Sequence, residues 1–407
     1  MKTSFFLFTI CCHCTLNPGA AEVFSTETIV RSALTNNLSL QAARLTVAEA
    51  EARVSGAGRL SNPALESSFG PNIAGGERTF SVGFNQSFPI TSRLRIEKRL
   101  SNIHLDIARA EIAEFERSLA FQVRTTAVTL AAITGQQRLI QNQRENSRGL
   151  REAVRRGVQS AETSTIDLAQ LELEASLLNF RELQLKSLHS ELLIELTLLS
   201  GSTISSNLDF TSLPFTNLAA RGEPLHSRSD LQVARHRTQA AQQHVALVRA
   251  QRWHDIEVGV FTGIDRNEDA PNGIETDHVV GVRVAIPLPL WNSGKARVAE
   301  ASASQVRMER EEFALLARIN ADIGAARAQF NAANDQLAIV RDDLLPKARD
   351  IEGRLSAAQA QGLSTLLEVL RARERRLELE STELNAHRDL HLAHARHLYA
   401  SGTILIE

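Results

Sequence analysis

Two stretches of the chain alternate between apolar and small polar side chains, and almost everything else repeats at helical spacing. In Phe80-Ser-Val-Gly-Phe-Asn-Gln-Ser-Phe-Pro89, the residues Phe80, Val82, Phe84 and Phe88 share one parity, interrupted only by Gln86. Ser81, Gly83, Asn85 and Ser87 share the other. A period of two predicts an extended strand with one greasy and one wet face. The wet face is made of small polar residues, as a water-filled lumen needs. A copy follows later: Val280, Val282, Val284 and Ile286 alternate with Gly281, Arg283 and Ala285, and Pro287 and Pro289 close the run.

Around these strands the pattern predicts long helices. The first runs over about 25–60, opened by a plausible cap near Thr26 and stopped by Asn62-Pro63. A strand over 64–69 and a polar turn over 70–78 lead to the first alternating strand. The next helix, about 92–158, has no proline and would be roughly 100 Å long. The chain turns at Gly157 to Ser164, and a further helix covers about 165–199. Then the plan starts again: helix 225–253, strand 256–262, polar turn 265–277, strand 280–286, helix 293–360, a turn at Gly362 and a last helix to Tyr399. Ser164-Thr-Ile-Asp-Leu aligns with Ser364-Thr-Leu-Leu-Glu, and Ser200-Gly201 with Ser401-Gly402, so the chain is a tandem repeat. The expected division is a signal peptide 1–21, a first helix-hairpin-helix repeat 22–201, a connecting segment 202–224, a second repeat 225–402 and a tail 403–407. In each half the two shorter helices match the long one in length, so stacked end to end they would form a second rod. Gly157 and Gly362 would then lie at the far tip.

Composition agrees: only 10 Pro and 21 Gly in 407 residues, with Ala, Leu, Arg, Glu and Gln dominant, describe long helices and coiled coils. The formal charge is −2, with acids and bases well mixed, and no basic stripe with interleaved aromatics points to nucleic acid. Met1-Lys-Thr, a short apolar run and Asn17-Pro-Gly-Ala-Ala21 predict a secretory signal peptide cleaved near Ala20 or Ala21. All three cysteines, Cys11, Cys12 and Cys14, lie within it, so the mature chain would hold no disulfide.

Four strands cannot close a barrel, but three chains would supply about twelve, within the range of outer-membrane barrels. Trp253 and Trp291, the only tryptophans, flank the second hairpin where a periplasmic aromatic belt would sit. The competing reading is a soluble hairpin with one face on a core. No enzyme is expected: His387-Arg-Asp-Leu-His391 lacks the glutamate of a zinc hydrolase, and there is no phosphate loop or nucleophile elbow. His387, His391 and His394 share a narrow helical stripe, with His397 beyond, and could share a metal. No carboxylate completes a facial set, so a solvated stripe without metal is the expectation.

Leu344-Leu-Pro-Lys-Ala348, Gln361-Gly-Leu-Ser-Thr-Leu-Leu-Glu-Val-Leu370, and Gly157 with Ser164-Thr-Ile-Asp-Leu168 carry a resemblance. Over essentially the whole mature chain the sequence resembles the TolC-like outer-membrane efflux proteins. Pro287-Leu-Pro-Leu-Trp291-Asn-Ser-Gly294, with the compact size, looks most like the heavy-metal (cobalt-zinc-cadmium, CzcC-like) subgroup. The resemblance implies a mainly α fold: a long α-helical coiled-coil barrel plus a transmembrane β-barrel, four strands per chain, completed as a homotrimer. It implies a passive duct in the outer membrane of a Gram-negative bacterium, with a large periplasmic part and no cofactor. Its partners would be a periplasmic adaptor protein, an inner-membrane resistance-nodulation-division pump and outer-membrane lipid. Asp167 and Glu368 match positions whose acids ring the periplasmic aperture, and Gly157, Gly362, Ser164 and Ser364 the tips that meet the adaptor. Gln359 stands where the family commonly has tyrosine, and Arg371 where a second acid is expected, a departure from the usual closing network. The alternatives are a duct for drugs or other small molecules and a periplasmic coiled-coil adaptor or scaffold with no pore.

Overall fold

The computed structural model describes residues 26–71, 78–160, 164–204, 228–269 and 273–403. The expected signal peptide with its three cysteines, most of the connecting segment 202–224, and residues 404–407 of the tail lie outside the described residues. The described elements are α1 (Thr26–Asn36), α2 (Leu38–Gly56), β1 (Ala64–Pro71), β2 (Arg78–Phe88), α3 (Arg93–Gln159) and α4 (Thr165–Ser200). They continue with α5 (Ser229–Ala250), β3 (Ile256–Asp269), β4 (Gly273–Ala285), α6 (Lys295–Ile339), α7 (Leu345–Ala360) and α8 (Leu366–Ser401). The 67 residues of α3 make a rod of roughly 100 Å.

Three elements depart from the sequence expectation. The helix expected over 25–60 is two helices, because Asn37 leaves the helical conformation and caps α2: its Oδ1 accepts from the Leu40 amide at 2.9 Å. The helix expected over 293–360 carries a wide π turn at Val340–Leu344 between α6 and α7. Pro346 follows it; proline cannot donate the backbone bond a regular helix needs there, and the extra residue in the turn relieves the clash of its ring. The polar turn expected over 265–277 is mostly strand, since Asp265 pairs with Asp277 and Arg266 with Thr276 in the β3–β4 ladder. Main-chain pairing carries these hairpin arms beyond the apolar run.

The helices form one layer of four parallel rods. α2 and α4 share the first rod, α3 is the second, α5 and α8 share the third, and α6 with α7 makes the fourth. Each rod feeds one strand, and the antiparallel sheet keeps the same order, β1-β2-β3-β4. The broken rods are joined by polar contacts. Asn37 Nδ2 donates to the Leu199 carbonyl at 3.0 Å and Ser32 bonds Ser202 at 2.9 Å where α4 ends against α1 and α2. Where α8 ends against α5, Arg228 donates to the Ala400 carbonyl. The main core lies at this level: Leu119, Val123 and Leu130 of α3 pack with Ile29 and Val30 of α1 and Leu196 of α4.

Beside the core sits a charged junction. Arg117 and Arg228 are almost fully buried. Arg117 binds Glu114 at 2.7 Å and lies 4.0 Å from the ring centroid of Tyr399, which stacks on Phe121 at 4.8 Å. Arg228 grips Asp230 with both ends of its fork, at 2.6 and 3.0 Å, while Asp230 also stands 3.5 Å from Arg117. The paired guanidiniums outweigh burial and hold the Asp230 carboxyl below the usual range.

Candidate functional site: the two-faced sheet and the helical tips

Register fixes which side chains share a face of the sheet. Phe84 of β2 pairs with Leu65 of β1 and Val260 of β3, and Val260 pairs with Val282 of β4. One row away along the strands lie Val82 and Val280, and two rows away Phe69, Phe80 and Ile264. This apolar face is open: Val280 is 82% exposed, Val282 68% and Phe84 57%. The strands are therefore not covered by helices of their own chain. Among the described residues no helix is long and apolar enough to cross a membrane.

The opposite face is small and polar. Gly83, Gly259, Gly263 and Gly281 all fall on it, beside Ser68, Ser81 and Asn85. Ser68 and Ser81 hydrogen-bond across the strands at 2.7 Å. All four glycines have close neighbours: a Cβ on Gly83 would meet the Val260 carbonyl oxygen at 2.8 Å, one on Gly263 the Phe80 carbonyl oxygen at 2.9 Å, one on Gly281 the Phe261 ring at 2.5 Å, and one on Gly259 the Asn85 side chain. Trp253 and Trp291 stand just below the second hairpin, 52% and 95% exposed, and Arg252 ties their two connectors by donating to the Ser293 carbonyl at 2.7 Å.

At the far end, Ser164 caps α4 by accepting from the Ile166 amide at 3.1 Å, and Asp167 is half-buried in the first turn. Thr365 and Glu368 form a reciprocal capping box on α8. The Glu368 carboxylate accepts from the Thr365 amide and from the Ser364 hydroxyl, each at 2.9 Å, and these bonds hold it below the usual carboxylate range. Gly362 adopts a left-handed φ of 73°, which a tight turn requires. Gly157 does not make the turn expected of it: α3 stays helical through Gln159, two residues further on. Its helix-forming neighbours Arg155, Arg156 and Gln159 carry the helix across the glycine, whose own penalty is only about 1 kcal/mol.

Sequence reading missed a second acidic pair. Glu174 of α4 and Glu374 of α8 line one groove of about 680 Å³ with Arg181 and Arg371. Burial, then the Glu374 carboxylate, pushes the Glu174 carboxyl up, against the pull of Arg373. The signal was present: the offset of 200 that aligns Ser164 with Ser364 also aligns Glu174 with Glu374.

The histidine stripe also differs from expectation. His391 and His394 are buried, not solvated. Burial, with the neighbouring imidazoles of His387 and His394, brings His391 down to about 4, and burial lowers His394 as well. α8 turns the His394 ring toward Phe330 of α6 and the Arg124–Glu27 pair. Among the described residues no group of three or more His, Cys, Asp or Glu side chains could hold a metal ion.

A one-layer wall with an open apolar face, an opposite polar face and two long helical hairpins has a counterpart among known proteins. Residues 221–401 match the family model described as outer membrane efflux protein. That match spans the second repeat, somewhat less than half of the chain. No curated protein sequence matches the chain. The chain is similar in structure to CusC, described for transmembrane channel formation, with 19% identity, a TM-score of 0.77 and 96% of each chain covered. It is similar to the outer membrane protein VceC of Vibrio cholerae, at 17% identity and TM-score 0.75, covering 93% of this chain and 96% of that one. The Neisseria gonorrhoeae MtrE outer membrane channel in its open state matches at 16% identity and TM-score 0.77, covering 93% of this chain and 89% of that one. The likeness of fold therefore extends beyond the matched repeat to nearly the whole chain: a layer of long helical rods joined to a four-stranded antiparallel sheet. Outside residues 221–401 the likeness, at under 20% identity, is one of fold.

Proposed function

We propose that the protein is the outer-membrane duct of a tripartite efflux system, a passive export path for heavy-metal cations driven by an inner-membrane pump. The observation that carries the duct is the two-faced single layer. An apolar face crosses all four strands, a glycine-rich polar face lies behind it, and both β1 and β4 end the sheet with an unpaired edge. Open edges within a bilayer are untenable, so the sheet closes with those of other copies. Three copies give twelve strands, a homotrimer.

The helical layer supports the same assembly. α4, on one edge, exposes Ile166, Leu173, Phe180 and Ile194, spaced by multiples of seven residues. The opposite edge exposes Val306 and Phe313 of α6 and Ile351 of α7. Two different apolar edges meeting head to tail generate a closed ring.

In the trimer, Trp253 and Trp291 mark the periplasmic membrane interface. Asp167 and Glu368 stand at the periplasmic aperture, and the tips that contain Ser164, Gly362, Ser364 and Gly157 meet the adaptor. The metal-cation assignment rests on the resemblance of the Pro287–Gly294 segment and on the acidic balance of the polar sheet face. Two measurements test the proposal. Heat-modifiable trimers from outer-membrane fractions should conduct in planar bilayers; a soluble, non-conducting monomer would favour the scaffold reading. Deletion of the gene should lower resistance to Zn²⁺, Cd²⁺ or Co²⁺, whereas sensitivity to a dye panel alone would make the duct one for drugs.

A further inference from the structure

The polar face of the sheet carries acids at Glu66, Glu257, Asp265, Glu275 and Asp277, by the pairing register. Among the described strand side chains it carries one base, Arg283 on β4. Arg283 does not point freely into solvent. Its guanidinium lies 5.6 Å from the ring centroid of Phe261 on β3, and its Nη1 reaches Glu66 Oε2 on β1 at 3.3 Å. β1 and β4 are the outer strands of the sheet, so this ion pair passes over β2 and β3. Three strand spacings amount to about 14 Å on a flat sheet. The 3.3 Å contact requires the sheet to curl toward this face, and the floor beneath is low at Gly83 and Gly281, while the Asn85 side chain covers Gly259. Phe261 fills the resulting trough, its ring against Gly281.

We propose that Arg283, laid over Phe261 and held by Glu66, is the specificity-determining residue of the barrel lumen, setting its preference between small cations and anions. This rests on the duct reading above. In the trimer, three such straps form a belt near the periplasmic end of the strands, since Glu66 follows the start of β1 by two residues and Arg283 precedes the end of β4 by two. The belt is the positive counterweight in an otherwise acidic wall, and rings of fixed charge set ion preference in pores. Glu66 neutralises part of the guanidinium charge and keeps it against the wall.

The test is the reversal potential of purified trimers in planar bilayers under a KCl gradient at low ionic strength. Arg283→Ala should raise the K⁺/Cl⁻ permeability ratio by about twofold or more, the effect of removing one charge some 8 Å from a permeating ion in water. Glu66→Ala should lower the ratio, and Arg283→Lys should stay near wild type. Each variant must first run as a heat-modifiable trimer; if Arg283→Ala does not, Arg283→Gln, which keeps a polar side chain of similar reach without the charge, takes its place with the same expected rise. A conducting wild type whose ratio is unmoved by Arg283→Ala and by Glu66→Ala overturns the role of Arg283 alone. A wild-type trimer that does not conduct overturns the duct itself.

Discussion

Replacing Asp230 by asparagine should loosen the junction where α5 abuts α8. Four charges meet there, Arg117 and Arg228 against Glu114 and Asp230, and the two guanidiniums are only 3% and 5% exposed. Asp230 serves both: it takes two bonds from Arg228 at 2.6 and 3.0 Å and faces Arg117 at 3.5 Å. Asp230→Asn preserves the shape but takes from Arg228 the carboxylate that grips it and leaves Arg117 with that of Glu114. Breaking a buried pair by removing one partner costs about 3–5 kcal/mol, because the remaining charge stays desolvated. Amide exchange in the first turn of α5 and the last turn of α8 should therefore quicken by about two to four orders of magnitude. The acid dependence should change as well. The Asp230 carboxyl titrates below its unfolded value, so its contribution is complete above the ordinary carboxylate range and fades as pH falls through the folded value. Asp230→Asn should remove that part of the acid sensitivity. If its exchange matches wild type at neutral pH, the junction does not hold the rods together and the reasoning fails.

Three further outcomes follow from the described contacts. His391, held by burial at about 4 in the fold, well below its ordinary value of 6.5, makes a contribution to stability that is present above pH 6.5 and is lost as pH falls toward 4; thermal melts over that window should be flatter for His391→Leu. Gly201 has φ 65° and a Cβ there would lie 2.5 Å from the Asn36 carbonyl oxygen, so Gly201→Ala should lower the melting temperature by an amount matching about 1–3 kcal/mol. Val280→Arg puts a charge on the open apolar face, costing about 2–4 kcal/mol at mid-bilayer, and should shift the protein out of the outer-membrane fraction while the matching Ser81→Arg on the polar face does not.

The two-faced strands and the rods were legible because their periods survive in the bare sequence. Phe80 to Phe88 cannot alternate as it does without declaring a face, and helix-forming residues fill 92–158 without a proline. What escaped was decided by contacts between segments far apart. The break at Asn37 is a local cap on Leu40 seated against the Leu199 carbonyl, and that distant carbonyl is what the sequence does not reveal when Asn36 stands beside it as an equal candidate. Arg283 and Glu66 are 217 positions apart, and their meeting follows from sheet curl, which parity does not encode. His394 looked like part of a wetted stripe because the ring beside it, Phe330 of α6, is brought there by rod order and not by helical period. Gly157 misled for the opposite reason: a glycine near a tip suggests a turn, but helix propagation through its neighbours overrides it.

The end-to-end joints have a mechanical consequence. Each half of the chain crosses its midline once through an unbroken helix, α3 or α6, and once across an abutment held by side chains. Swinging α4 and α8 about those unbroken spines breaks no helical hydrogen bond; it gives up chiefly the Asn37–Leu199, Ser32–Ser202 and Arg228–Ala400 links. The tips can therefore pivot while the strands stay put, and the hinge for that movement sits at mid-height, a rod's half-length from either end.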